Sequence, residues 1–177
     1  MTARRLLVVG ALLMLGGAAL VLLDQADRTP DPSRAWVSLR RFGEVAVRIR
    51  DAAGRVRKGC LLAARTESEQ ARGLMRVQNP SLDGHDGMVF LFKEPQRTGF
   101  WMRNTPMPLS LAYFDRRGRV VSITDMTPCA DTPSCPQYQP AGPYLSALEV
   151  PRGHLGQLGV SDGARLKVVG ACGRSAD

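Results

Sequence analysis

Short apolar segments separated by turn residues recur along most of the chain. Val45–Arg50 alternates apolar and polar side chains, while Met88–Phe92 and Leu109–Phe114 are almost uninterrupted apolar runs. Runs of this length and composition are typical of β-strands. The capping box Thr66–Glu69 and the proline at Pro151 each indicate the start of a short helix. About seven or eight short strands and two short helices predict a compact antiparallel β-sandwich or barrel.

Residues 1–23 have the composition of an export segment. Arg4 and Arg5 precede an uncharged apolar run, 6–23, which as a helix of about 27 Å would cross a bilayer. Because basic flanks stay in the cytoplasm, we expect everything after this run to lie outside a cell membrane that anchors the chain. Cleavage near the small residue Gly17 would instead release a secreted or periplasmic protein, and the pattern favours the anchor.

A polar linker is expected between the export segment and the folded domain. Residues 24–35 contain proline and several charged side chains, a composition typical of linkers. The β domain is therefore predicted over residues 36–177.

The net charge of +8 comes almost entirely from arginine. Such a charge is typical of proteins that bind nucleic acid. An exported domain has little access to nucleic acid, however, so no nucleic-acid partner is expected. Attraction to anionic lipid or to an acidic envelope polymer is compatible with the charge. A solvated, arginine-rich surface without a partner explains the charge better and is the favoured interpretation.

Four cysteines in an exported chain suggest disulfide bonds. Cys129 and Cys135 lie in a proline-rich loop with few other constraints, and a bridge between them would contribute about 2 kcal/mol. A zinc site is the less favoured alternative, because only two thiols are local. Cys60 and Cys172 could pair as well, although Cys60 could equally be a buried free thiol.

The segment Phe100–Pro108 combines aromatic, thioether, amide and hydroxyl groups between two predicted core strands. Trp101, Asn104 and Thr105 could form a platform that stacks on and orients a sugar-like or peptide-like group. The favoured alternative makes Trp101 a core aromatic, with Asn104 and Thr105 satisfying backbone groups in a tight turn. Arg72, at the end of the first predicted helix, could bind an anion or complement the helix dipole.

Glu149 interrupts a strand of small and apolar residues. With a period of two it shares a face with Ala147, so it points into a cleft if that face is concave. Otherwise Glu149 is a surface acid or the ion-pair partner of Arg72 or Arg103, and this interpretation is favoured. His85, between a glycine and an acid, is a candidate base that is more typical of a solvated loop.

Several motifs in order resemble the DUF192 family, a domain of unknown function, over roughly residues 45–169. The resemblance implies a compact β-rich domain of jelly-roll-like topology, often behind a signal peptide or lipoprotein signal. It implies no established activity and no catalytic residue. The segments that carry it are Glu67–Met75, Gly87–Phe92, Phe100–Thr105 with Pro108, Asp115–Gly118, Met126–Cys129, Ala147–Val150 and Gly159–Gly163.

The sequence contains no metalloprotease, nucleotide-binding or nucleophile-elbow motif, and no cofactor is expected. The leading hypothesis is a membrane-tethered extracytoplasmic domain that binds an envelope polymer, peptide or anionic lipid. The alternative is an envelope hydrolase or transferase that uses Glu149 with Asn104 or His85. A minor alternative is copper handling by thioethers. The methionines concerned are Met75, Met88, Met102, Met107 and Met126.

Overall fold

In the computed structural model, which describes residues 39–173, nine of the twelve described elements are strands. These residues belong to the second of two compact units, Ala35–Asp177. They form β1 (Gly43–Arg50), β2 (Val56–Ala64), helix α1 (Glu67–Arg72), a 3-10 helix (Leu82–Gly84), β3 (Met88–Gln96), β4 (Phe100–Trp101), β5 (Leu109–Phe114), β6 (Val120–Met126), β7 (Gln137–Tyr138), β8 (Tyr144–Pro151), a 3-10 helix (Leu155–Leu158) and β9 (Arg165–Gly170).

The predicted export segment, 1–23, and the linker, 24–35, lie outside the described residues, so the hydrophobic N-terminal helix stays a prediction. Within residues 39–173, no helix is both long and apolar enough to span a membrane. The second predicted helix begins later than expected: Pro151 ends β8, and the helix that follows is the 3-10 turn Leu155–Leu158.

Seven strands form one sheet in the order β6-β5-β8-β3-β2-β1-β9, and β4 pairs with β7 in a small second sheet. The prediction of a mainly β fold is therefore confirmed. The prediction of an antiparallel sandwich or barrel is wrong, because one mixed sheet holds the domain together. Its parallel pair is β2 with β3. The chain between these two strands contains α1, and a long crossover of this kind allows parallel pairing.

The main sheet curls until its two edge strands meet at one end. Arg119 forms an antiparallel bridge with Arg165. Beside this bridge the Leu166 amide donates to the Gly118 carbonyl at 2.8 Å. The sheet does not close into a barrel, because among the described residues the contact between β6 and β9 is limited to this end.

Both faces of the sheet are buried, each under its own apolar cluster. The valine-rich cluster includes Val47, Leu148 and Val150, and the aromatic cluster, on the other face, includes Ala147. Glu149 lies on the aromatic-cluster face, as its spacing from Ala147 predicts. Further members of the aromatic cluster are Phe90, Tyr113 and Tyr144, with Phe92 and Phe100 packed against them.

The disulfide bond joins Cys60 in β2 to Cys172, and the Cα atoms are 5.6 Å apart. The predicted bridge between Cys129 and Cys135 is wrong, since both are free thiols. A hydrogen bond with Cys135 raises the pKa of the Cys129 thiol. Backbone contacts connect the loop to the rest of the domain, including an isolated β-bridge between Cys129 and Arg103.

Candidate functional site

A pocket of about 160 Å³ lies between the end of α1 and the aromatic cluster. Four of the five candidate residues chosen from the sequence line it. Its walls combine apolar and aromatic side chains with one acid and one base. The four residues are Arg72, Trp101, Thr105 and Glu149.

Helix α1 forms one wall of the pocket, and its own sequence fixes its position. The predicted capping box is confirmed: Thr66 Oγ1 accepts from the Glu69 amide at 3.2 Å, and Glu69 Oε2 accepts from the Thr66 amide at 2.9 Å. Gln70 Nε2 donates to the Leu91 carbonyl at 2.8 Å, which ties the helix to β3. Gly73, with φ +47°, ends the helix and lets the chain turn over the pocket.

The Phe100–Pro108 segment supplies the opposite wall. Trp101 is 40% exposed, so the interpretation of this ring as a core aromatic is wrong. Phe100 takes the inner position and packs edge-on against Phe90, with ring centroids 4.8 Å apart, while Met102 is fully buried. The Arg103 guanidinium lies 4.8 Å from the centroid of the Trp101 ring, a cation–π contact at the rim.

Thr105 lines the pocket, whereas Asn104 does not. Thr105 is 5% exposed, and its Oγ1 donates to the Arg103 carbonyl at 3.3 Å, so it satisfies a backbone group as well as lining the pocket. Asn104 adopts φ +53°, and its Nδ2 donates to Asp131 Oδ2 at 3.2 Å. Asn104 lines a separate shallow depression, with Thr105 between the two sites.

Glu149 is the buried acid of the pocket. It is 4% exposed and is paired in register with Met88 and Leu111, both fully buried. Among the described residues its carboxyl group has no hydrogen-bond or ion-pair partner, so the favoured surface or ion-pair interpretation is wrong. Burial alone raises the pKa of Glu149 to about 8, so the carboxyl group is mostly protonated at neutral pH.

The two remaining charged candidates lie in different surroundings. Arg72 is half-buried in the last turn of α1, where it complements the helix dipole, and its guanidinium has no partner among the described residues. His85 is not in the pocket: its Nε2 lies 3.0 Å from Glu44 Oε1, and its Nδ1 lies 2.7 Å from the Leu82 carbonyl oxygen. The convergence of Glu149 with His85 or Asn104, which the enzymatic hypothesis requires, is absent from residues 39–173.

Sequence reasoning missed the aromatic floor of the pocket. Phe92 and Tyr144 pack edge-on with centroids 5.5 Å apart, and the Tyr144 hydroxyl donates to the Thr98 carbonyl at 2.9 Å. Tyr144 is the first residue of β8 and lies far from Phe92 in sequence, so local patterns carry no signal that the two rings meet. Four of the methionines considered for copper are buried in the aromatic cluster, the usual role of a thioether. They are Met88, Met102, Met107 and Met126.

Comparison with known proteins places this chain in a family. The DUF192 family, described as an uncharacterised ACR, matches residues 49–168, which cover all strands from the end of β1 to β9. The chain belongs to the DUF192 family. The resemblance identified in the sequence is thereby confirmed. None of the curated proteins matches the chain.

Two solved structures are similar to this DUF192 protein. A crystal structure from Sinorhizobium meliloti 1021, described as a candidate transcription regulator, is 28% identical with a TM-score of 0.60, covering 72% of this chain and 95% of the other. A crystal structure from Novosphingobium aromaticivorans, described as a protein of unknown function, is 32% identical with a TM-score of 0.57, covering 70% of this chain and 84% of the other.

Proposed function

We propose that this DUF192 protein is a ligand-binding domain of the cell envelope, and that its ligand enters the pocket beside α1. The observation that carries the proposal is the convergence of Arg72, Trp101, Thr105 and Glu149 on one pocket. Concave sites with apolar walls and a few polar groups are the usual form of small-molecule sites. The ligand is a sugar-like or peptide-like group small enough for about 160 Å³.

The envelope location is part of the same proposal. The apolar run 6–23 with its basic start supports a membrane anchor with the domain outside. The disulfide between Cys60 and Cys172 supports an oxidising compartment, where such bonds persist.

Binding is preferred over catalysis because the pocket offers one acid without a second reacting group. A carboxyl group with a raised pKa suits a general acid, as the enzymatic alternative requires. However, His85 is engaged by Glu44, and Asn104 faces a separate depression. A hydrolase or transferase would need a base or nucleophile within reach of Glu149.

The description of the Sinorhizobium relative raises DNA binding as another possibility, and the net charge of +8 is compatible with it. Helices that read the major groove present several residues to the bases. Among residues 39–173 the longest helix has six residues, and its last turn lines the pocket. We therefore favour a small ligand.

The test compares binding by the soluble domain from Trp36 onward with binding by its Trp101→Ala variant. Envelope glycans, peptides and anionic lipids are screened, and we expect at least one ligand whose affinity falls about tenfold in the variant, since stacking on Trp101 is lost. Ile123→Ala, which trims another exposed apolar side chain outside the pocket, is the matched control. Equal binding by a folded Trp101→Ala variant would remove the pocket from the proposal.

A further inference from the structure

Aromatic rings are concentrated around the pocket. Three of the chain's five phenylalanines, one of its two tryptophans and one of its three tyrosines line it. Ring faces carry partial negative charge, so a pocket walled by rings attracts organic cations. The Arg103 guanidinium over Trp101 already makes one such contact at the rim. The rings are those of Phe90, Phe92, Phe100, Trp101 and Tyr144.

A second, independent observation comes from the carboxyl group within this wall. Glu149 is more than nine-tenths buried, lines the pocket and has no partner among the described residues. An unpaired acid in apolar surroundings is costly unless something outside the fold neutralises it. In the free protein a proton neutralises this group, and a ligand cation that enters the pocket could take the place of that proton.

Arg72 narrows the class of cation further. Its guanidinium lines the same pocket and is equally unpartnered among the described residues, so it would repel a plain cation. A zwitterion avoids this repulsion, because its anionic group can turn towards Arg72 while its ammonium group meets Glu149.

We propose that the pocket binds a small zwitterion of the amino-acid or betaine class, with its ammonium group against Glu149 inside the aromatic wall and its carboxylate against Arg72. The inference rests on the proposed function and names the ligand class for the same pocket. It matches the peptide-like ligands considered above and disfavours neutral sugars.

Two matched pairs of probes test the ammonium group directly on the purified full-length chain. Glycine betaine and 3,3-dimethylbutanoate differ by a quaternary nitrogen against a carbon, as do choline and 3,3-dimethyl-1-butanol. At pH 8.5 we expect replacement of nitrogen by carbon to weaken binding about tenfold in both pairs. Affinity is measured by calorimetry and by the NMR shift of the Trp101 indole.

Two variants test which residue contacts each charged group of the ligand. Glu149→Gln, which keeps the size of the side chain, should reduce the preference for nitrogen over carbon to the part that the rings provide, while the exposed control Glu94→Gln should retain it in full. Arg72→Gln should abolish the preference for glycine betaine over choline. If wild-type protein binds the carbon analogues as tightly as the nitrogen probes, the inference is overturned.

The wild-type protein gives a further readout that needs no variant. The preference for the nitrogen probes should be smallest at acidic pH and should rise to its full value of about tenfold above about pH 8, as the Glu149 carboxylate forms. Arg72 is the other charged group that lines the pocket. Burial raises the pKa of both Tyr144 and Tyr113, so neither phenol ionises in this range.

The outcomes separate the two proposals. A neutral or purely anionic ligand from the envelope screen that needs Trp101 would overturn the zwitterion and leave the binding pocket standing. If neither the screen nor any of the four probes detects binding that depends on Trp101, both proposals fail.

Discussion

Glu149 lowers the stability of the folded domain, because its carboxyl group is buried without a partner among the described residues. It occupies a central strand, and its paired neighbours Met88 and Leu111 are fully buried apolar residues. Burial without a partner raises the pKa of Glu149 to about 8 from 4.5, so the fold holds this group mainly in its protonated form. A residue that opposes folding and faces a pocket is typical of a functional site.

Glu149 should make the stability of the protein depend on pH. Because its folded pKa is raised above the unfolded value, the folded state binds the extra proton, and stability is lost as the pH rises from about 4.5 to about 8. The loss is on the order of a few kcal/mol. Glu149→Gln should remove this slope, so the variant is more stable than wild type at pH 9. Urea unfolding at pH 5, 7 and 9 measures the difference.

The matched control for this prediction is Glu94→Gln, which neutralises an exposed glutamate of β3. Its pH dependence should follow that of the wild type. An identical pH slope in Glu149→Gln and wild type would mean that the Glu149 carboxyl group is ionised inside the folded protein near neutral pH.

Helix α1 is short, and its residues form one wall of the pocket. Six residues are too few for a stable isolated helix, so the capping box and the Gln70 contact with β3 are needed to hold it. Its far end turns at Gly73, where a methyl group would lie 3.1 Å from the Phe90 ring. The shape of the pocket therefore depends on α1 remaining folded and in place.

Thr66→Ala should loosen that wall. Loss of the N-cap should cost about 1 kcal/mol of unfolding free energy. Ligand affinity should fall as well, because Gln70 and Arg72 lie on the released helix. Urea unfolding and hydrogen exchange of the α1 amides measure the effect. Ser68→Ala, a change at an exposed position within α1, is the control and should be neutral or slightly stabilising. Unchanged exchange of α1 in Thr66→Ala would contradict the prediction.

Much of this arrangement was predictable from local sequence, because caps and two-residue alternation are local properties. The capping box and the face of Glu149 followed from such patterns. The exposure of Trp101 did not, since a two-residue strand has no periodicity to show which of Phe100 and Trp101 points inwards. Sheet order and the pairing of Cys60 with Cys172 depend on contacts distant in sequence, which local patterns do not encode.

For the whole molecule, the disulfide bond is the longest-range constraint. Cys60 and Cys172 are separated by 112 residues, so the closed loop contains every element from α1 to β9. In the chain-entropy account, a loop of about this length contributes roughly 4–5 kcal/mol. That is a large share of the net stability of an ordinary domain, which is about 5–15 kcal/mol.

Reduction should therefore lower the unfolding temperature strongly. Thermal unfolding with and without a phosphine reductant measures this, and Cys60→Ser should reproduce the reduced protein. The matched control is a double variant, Cys129→Ser with Cys135→Ser, which removes the two free thiols and should keep the full response to reductant. An unfolding temperature that does not change on reduction would show that the bond does not constrain the unfolded chain.

The curl of the main sheet has a consequence for assembly. Open sheet edges recruit strands from other molecules. Here the bridge between Arg119 and Arg165 occupies one end of both edges, and the Ala141 amide donates to Ser122 Oγ on β6 at 3.1 Å. The exposed Lys167 adds charge to β9. These three features limit the length of open edge that a strand from another molecule could join.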